Sequence, residues 1–188
     1  MDLTVEKLDE IVEDIWVNHI KRDFKEKRIQ YFEATLVAAF YHYLRFEIDK
    51  YPKYRVFLEH KLSRNSDEDS GSTKEKYDLV IMKAEKEKDW ESIIPLEVIE
   101  TIPYWTAFEF KFVINLYDKY AQKDFNKLKE AIDIKRAYFI CIYQKDKSNV
   151  IVNKKDKWLN KYRECNAFLK DEEWIFEFRL GEKILNNE

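Results

Sequence analysis

Glycine is almost missing from this chain: Gly71 and Gly181 are the two in 188 residues, where average usage would give roughly 13. A loop that wraps phosphate in backbone amides needs clustered glycines, because a Cβ holds the chain away from the anion. With no such cluster, the sequence argues against a P-loop NTPase or a dinucleotide-dependent enzyme. Cysteine is as scarce, with Cys141 and Cys165 alone, and His19, His42 and His60 are scattered. The paired-ligand spacing of a structural zinc site is therefore missing. Both cysteines fall in apolar-periodic segments and read as reduced core thiols. No apolar run approaches the ~20 residues that cross a bilayer, and the acidic, amphipathic start MDLTVEKLDEIVEDIW is unlike a signal peptide. The expectation is a soluble, cytoplasmic protein with no membrane partner.

Charge and aromatic rings are plentiful, at 38% and 16% of residues, on a 45% apolar background. That is enough to bury a core, and the length fits one domain spanning 1–188. The charges are unevenly spread. Residues 112–170 hold 14 basic against 7 acidic side chains, inside a protein whose net charge is −3. Such a stretch suits an anionic partner, with a solvated helix face as the plain alternative.

Periodicity predicts helices over 3–21 and 27–48, then a strand over 54–62 and a polar, exposed loop over 63–76. Strands are expected at 77–83, 93–102 and 106–117, a basic helix at 123–134 and a doubly covered strand at 137–143. A charged helix near 155–169 and a strand at 174–180 close the chain. Helices alternating with strands in this order indicate an α/β or α+β sheet with helices on its faces.

The chemistry-bearing residues sit on the central strands. Asp78 opens an apolar strand, while Glu109 and Lys111 share one face of 106–117 and Phe108, Phe110 and Phe112 fill the other. Pairing of the two strands would bring two carboxylates and an ammonium within a few ångströms. Neighbouring carboxylates repel unless a cation lies between them, and oxygen donors suit Mg²⁺ or Mn²⁺. A lysine beside them can orient a water or meet developing phosphate charge. This is the equipment of metal-assisted phosphodiester hydrolysis.

Asp78, followed by Glu109-Phe110-Lys111, resembles the PD-(D/E)XK nuclease superfamily, the fold of many restriction endonucleases. The resemblance covers about residues 27–143: a helix bearing Glu33, three strands, a helix and a further strand. It implies a restriction-endonuclease-like α/β fold, a mixed central sheet flanked by helices, with the segment 155–180 packed on it. It also implies that Asp78 and Glu109 hold the divalent metal with help from the Phe110 carbonyl. Lys111 would then position or activate the attacking water, and Glu33 would be an outer metal or water ligand. In-line attack would leave a 5′-phosphate. Two departures stand out. Tyr77 replaces the proline of the motif, and 30 residues separate Asp78 from Glu109, which calls for an inserted strand or hairpin over 84–105. If 93–102 were the neighbour of the Asp78 strand, Glu97 or Glu100 would take the place of Glu109.

The plain reading makes Glu109 and Lys111 a solvated strand face, with ion pairs worth about 0–1 kcal/mol, and puts Glu33 at a helix boundary with water. Around the basic helix, Lys123, Lys127, Lys135 and Arg136 are expected to meet nucleic-acid phosphates; for Lys127 an intrahelical pair with Asp124 is the simple alternative. Lys145, Lys147, Lys154, Lys155 and Lys157 extend that edge. Tyr104 and Trp105, after Pro103 at an expected sheet edge, are placed to stack on unpaired bases. The sequence thus points to a Mg²⁺-dependent nuclease acting on DNA, with RNA as the alternative to DNA. An inactive nuclease-like module that binds nucleic acid or a protein is the alternative. A homodimer fits either.

Overall fold

The computed structural model describes residues 2–26, 33–58, 76–86, 90, 104–113, 119–131, 134–143 and 157–181. Helix α1 (Val5–Asp14) starts at Thr4, whose Oγ1 accepts from the Lys7 N–H at 3.1 Å, the usual way an orphan first-turn donor is satisfied. It runs directly into a π-helical stretch, Ile15–Ile20, and then α2 (Lys21–Lys25). Leu8, Ile11, Val12, Ile15, Trp16 and Ile20 form its buried stripe. Helix α3 (Glu33–Ile48) buries Leu36, Phe40, Leu44 and Ile48 at helical spacing.

Six strands form one sheet in sequence order: β1 (Tyr54–Leu58), β2 (Leu79–Lys83), β3 (Tyr104–Val113), β4 (Arg136–Tyr143), β5 (Tyr162–Lys170) and β6 (Glu173–Leu180). The first three are antiparallel neighbours, β4 lies parallel to β3 and β5 parallel to β4, and β6 returns antiparallel. Helix α4 (Lys119–Glu130) makes the crossover between the parallel pair β3 and β4. The protein is a single-domain α/β fold with a mixed sheet.

Strand alternation divides the side chains between two cores. Leu79, Ile81, Phe108, Phe110, Tyr138, Ile140, Cys165 and Ala167 face α1–α3. Val80, Met82, Ala107, Ala137, Phe139, Cys141 and Tyr162 face α4, which contributes Phe125 and Leu128. The unbroken apolar run of β4 is thus buried on both sides, as expected for a parallel interior strand. Both cysteines are free and buried. The described residues contain no helix long and apolar enough to cross a membrane.

Three expectations need correction. The helix over 155–169 is a short 3-10 turn, Lys157–Lys161, followed by strand β5. An interior β4 leaves a row of backbone donors and acceptors on its far edge, and β5 satisfies them along seven residue pairs. Tyr104 and Trp105 lie at no edge. They are 5% and 9% exposed, packed edge-on against Tyr77 and Tyr54 with centroids 5.9 and 4.9 Å apart. Arg136 does not face solvent either. It is 7% exposed, its Nη1 donates to the Asn160 carbonyl at 2.8 Å, and its Nη2 lies 2.9 Å from Asp9. Asp9 also accepts from the Tyr138 hydroxyl at 2.6 Å and from Arg163 Nε at 3.0 Å, tying α1 to the starts of β4 and β5. The expected strand 93–102 with Glu97 and Glu100, residues 63–75 of the loop, and Lys145, Lys147, Lys154 and Lys155 lie outside the described residues.

Asp9 balances two buried guanidiniums, so Asp9→Ala should destabilise the fold by about 3 kcal/mol in urea denaturation; a change under 1 kcal/mol would remove this knot as a structural tie. The β5–β6 turn offers the opposite test. Asp171 and Glu172 both have positive φ, 49° and 67°, as a two-residue hairpin turn requires and as side-chain-bearing residues resist. Asp171→Asn with Glu172→Gly should raise stability by about 1 kcal/mol in the same assay, and a loss would contradict the turn geometry.

Candidate active site

Pairing of β2 with β3 sets the site. Leu79 lies opposite Phe108 and Val80 opposite Ala107, so Asp78, one residue before β2, falls across from Glu109. Its Oδ2 accepts a hydrogen bond from the Phe110 N–H at 2.8 Å. Phe108 and Phe110 point away from α4 and meet Phe40 of α3. Alternation therefore sends Glu109 and Lys111 to the face that α4 covers. Glu109 is 2% exposed, which corrects the solvated-face alternative: the helix lies over it.

Two residues of α4 reach down to this row. Lys127 Nζ pairs with Glu109 Oε1, donates to the Lys76 carbonyl and stands 5.1 Å above the Tyr77 ring. Asp124, one turn earlier, takes Lys111 Nζ at 2.8 Å. Asp124 and Lys127 thus bond to the strand below. Glu33 comes from the other layer, at the first turn of α3. Its Oε2 accepts from the Phe112 N–H at 3.3 Å and lies 3.6 Å from Lys111 Nζ. The structure brings together Asp78, Glu109, Lys111 and Glu33, all four of the expected catalytic set.

The expected phosphate-contacting residues divide differently. Lys123 and Lys135 are exposed, and the Lys135 N–H donates to the Trp105 carbonyl at 2.9 Å. Lys127 is turned inward to Glu109, a correction that makes it part of the site. Asp124 was the residue that sequence reasoning missed as a site member. The signal lay in its position: Asp124 and Lys127 flank Phe125 and Leu128, so both border the buried stripe of α4.

Burial governs the electrostatics. It pushes the Asp78 carboxyl up, against the Phe110 N–H and the charge of Lys127, which pull it down. Burial and the neighbouring Asp78 push Glu109 up to about 9, against the opposing pull of Lys127. For Lys111, burial acts downward, but the hydrogen bond and charge of Asp124, with Glu33 and Asp78, outweigh it and raise the ammonium. Two carboxyl groups that resist ionising side by side form an oxygen-donor pair to which a further cation would be attracted. Among the described residues, no three His, Cys, Asp or Glu side chains form a ready metal cage. A metal here would rest on Asp78 and Glu109, completed by main-chain oxygen or water.

No protein-family model, curated protein or solved structure matches the chain.

Glu109 also sets a pH dependence. The folded carboxyl keeps its proton up to about 9, whereas an ordinary glutamate loses it near 4.5. Between those values the folded chain binds more protons than the unfolded one. In metal-free buffer this group therefore makes stability fall as pH rises, by up to about 1.4 kcal/mol per pH unit. Glu109→Gln should flatten that slope in denaturation curves taken across the window. Equal slopes for variant and wild type would exclude Glu109 as their source.

Proposed function

We propose that this protein is a metal-dependent nuclease of restriction-endonuclease-like fold, hydrolysing DNA phosphodiester bonds. The observation that carries the reading is the convergence of Asp78, Glu109 and Lys111 across the β2–β3 pair, with the Asp78 carboxylate held by the Phe110 N–H at 2.8 Å. The element order supports it: helix α3 with Glu33, three antiparallel strands, helix α4, then β4 parallel to β3. That is the order the resemblance implies.

Asp78 and Glu109 would hold Mg²⁺ or Mn²⁺, which when bound supplies charge stabilisation at the phosphoryl oxygens and acidifies a coordinated water. Asp78 is aimed by a backbone amide, so it meets a cation with little rearrangement. Lys111 is held between Asp124 and Glu33, which keeps its ammonium charged and oriented to hydrogen-bond the attacking water. Glu33 lies one residue layer further out and acts through Lys111. Lys127 lies against the protonated Glu109 in the metal-free protein and, on leaving it, would face a substrate phosphate.

The same Lys127–Glu109 contact favours a second reading, in which the ammonium stands where a metal would bind and the protein is an inactive module that binds nucleic acid or a protein partner. A cleavage assay on plasmid, linear, single-stranded and branched DNA with Mg²⁺ or Mn²⁺ separates the two. The nuclease should cut at least one form, and Asp78→Ala, Glu109→Ala and Lys111→Ala should each lower the rate by about 100-fold or more. Binding without cutting would select the inactive module. Equal rates in all four preparations would identify a contaminant.

A further inference from the structure

Three groups from separate parts of the chain meet at one atom, the Lys127 Nζ of α4. The Glu109 carboxyl of β3 touches it through Oε1. The Lys76 main-chain carbonyl, just before β2, accepts a hydrogen bond from it. The face of the Tyr77 ring lies 5.1 Å away. Glu109 and Tyr77 are both buried, so two of the three walls of this cradle belong to the packed interior. Carboxyl oxygen, main-chain carbonyl oxygen and an aromatic face are the groups that receive a cation taken out of water. The ammonium marks the place as a cation-binding position, filled by the chain itself.

The occupant can move, and the cradle cannot. The Lys127 side chain is 21% exposed, against 2% for the carboxyl beneath it. Lysine carries its charge on a flexible four-carbon stem that can swing the head into water. Glu109 sits on an interior strand under α4 and has no such exit. A second cation reaching Glu109 would therefore leave the carboxyl in place and turn Lys127 outward. Asp124, one turn earlier, would keep α4 seated through its own contact with Lys111 at 2.8 Å.

Lys127 is also the cation whose charge acts on both Asp78 and Glu109, the pair that would hold a divalent ion. A divalent ion and the ammonium would repel one another at such short range, so the two occupancies exclude each other.

We propose that the Glu109–Lys76–Tyr77 cradle is a cation site that α4 plugs with Lys127, and that a divalent ion enters it by displacing that lysine. The proposal rests on the reading of Asp78 and Glu109 as the metal pair and deepens it: the metal-free state is a closed one. Binding of Mn²⁺ alone, read from the electron paramagnetic resonance signal of the free ion, tests the competition. Lys127→Met keeps most of the stem and removes the charge. With the plug out in about a tenth of wild-type molecules, this change should tighten Mn²⁺ binding about tenfold, and Lys127→Gln should do the same. Adding Glu109→Gln should remove the gain. Thermal melts check that the variants fold. A second reading needs no variant: in the lysine side-chain NMR spectrum of the wild type, assigned by through-bond correlation, Mg²⁺ should move the Lys127 ammonium signal to the position of exposed lysines. Wild-type affinity in the folded variants, a gain that survives Glu109→Gln, or a Lys127 signal unmoved by Mg²⁺ would each overturn the plug. So would a lack of Mn²⁺ binding in wild type and variants alike. Cleavage is scored separately on the wild type. If it cuts DNA while the variants show no gain, the plug is overturned and the nuclease reading is untouched. If the gain appears and depends on Glu109, but no DNA is cut, the plug is supported and the nuclease reading falls.

Discussion

A carboxyl group placed at 2% exposure beneath a helix has to be neutral, paired or bound to a cation, and much of this structure can be understood as the answer to Glu109. Strand β3 carries it in the middle of the sheet, between an antiparallel half and a parallel half. The crossover helix α4 that the parallel pair requires must lie over that face, which is what removes Glu109 from water. The same helix supplies the ammonium of Lys127 that lies against it. Topology creates the electrostatic demand, and the element that creates it also meets it.

Glu164 makes a useful contrast. It is 1% exposed, and its two oxygens accept from the Tyr162 hydroxyl and the Asn166 amide, both at 2.8 Å. Both partners are two residues away on the same strand, so the carboxyl is satisfied locally. Glu109 instead depends on Lys127, delivered by a helix after the strand that carries it. Burial raises both carboxyls, but the group set against Glu109 is itself an ammonium. The Asp9 knot with Arg136 and Arg163 is structural as well: it holds α1 to the sheet.

Much of the order of elements was legible because it is written in local periodicity. Leu36, Phe40 and Leu44 mark α3, and the alternation of Phe108 and Phe110 with Glu109 and Lys111 marks β3. Strand β5 was not legible. Arg163, Glu164 and Asn166 are buried polar residues, and no local rule separates a polar residue that a fold will satisfy from one that faces water. For the same reason Arg136 read as part of a basic surface: its partner Asp9 lies at the opposite end of the chain. Tyr104 and Trp105 read as an edge because Pro103 precedes them, whereas packing against Tyr77 and Tyr54 places their rings inside.

The sequence by itself determined which chemistry was available. Two carboxylates and a lysine on alternating strand positions, with almost no glycine for a phosphate loop, limit how this chain could handle phosphate. Tertiary structure alone decided which groups meet. The β2–β3 register set Asp78 across from Glu109, and the placement of α4 turned Asp124 and Lys127 from surface charges into site residues. The division has a physical cause: side-chain identity and spacing are local, whereas desolvation and Coulomb coupling depend on distances through space that only the packed chain establishes.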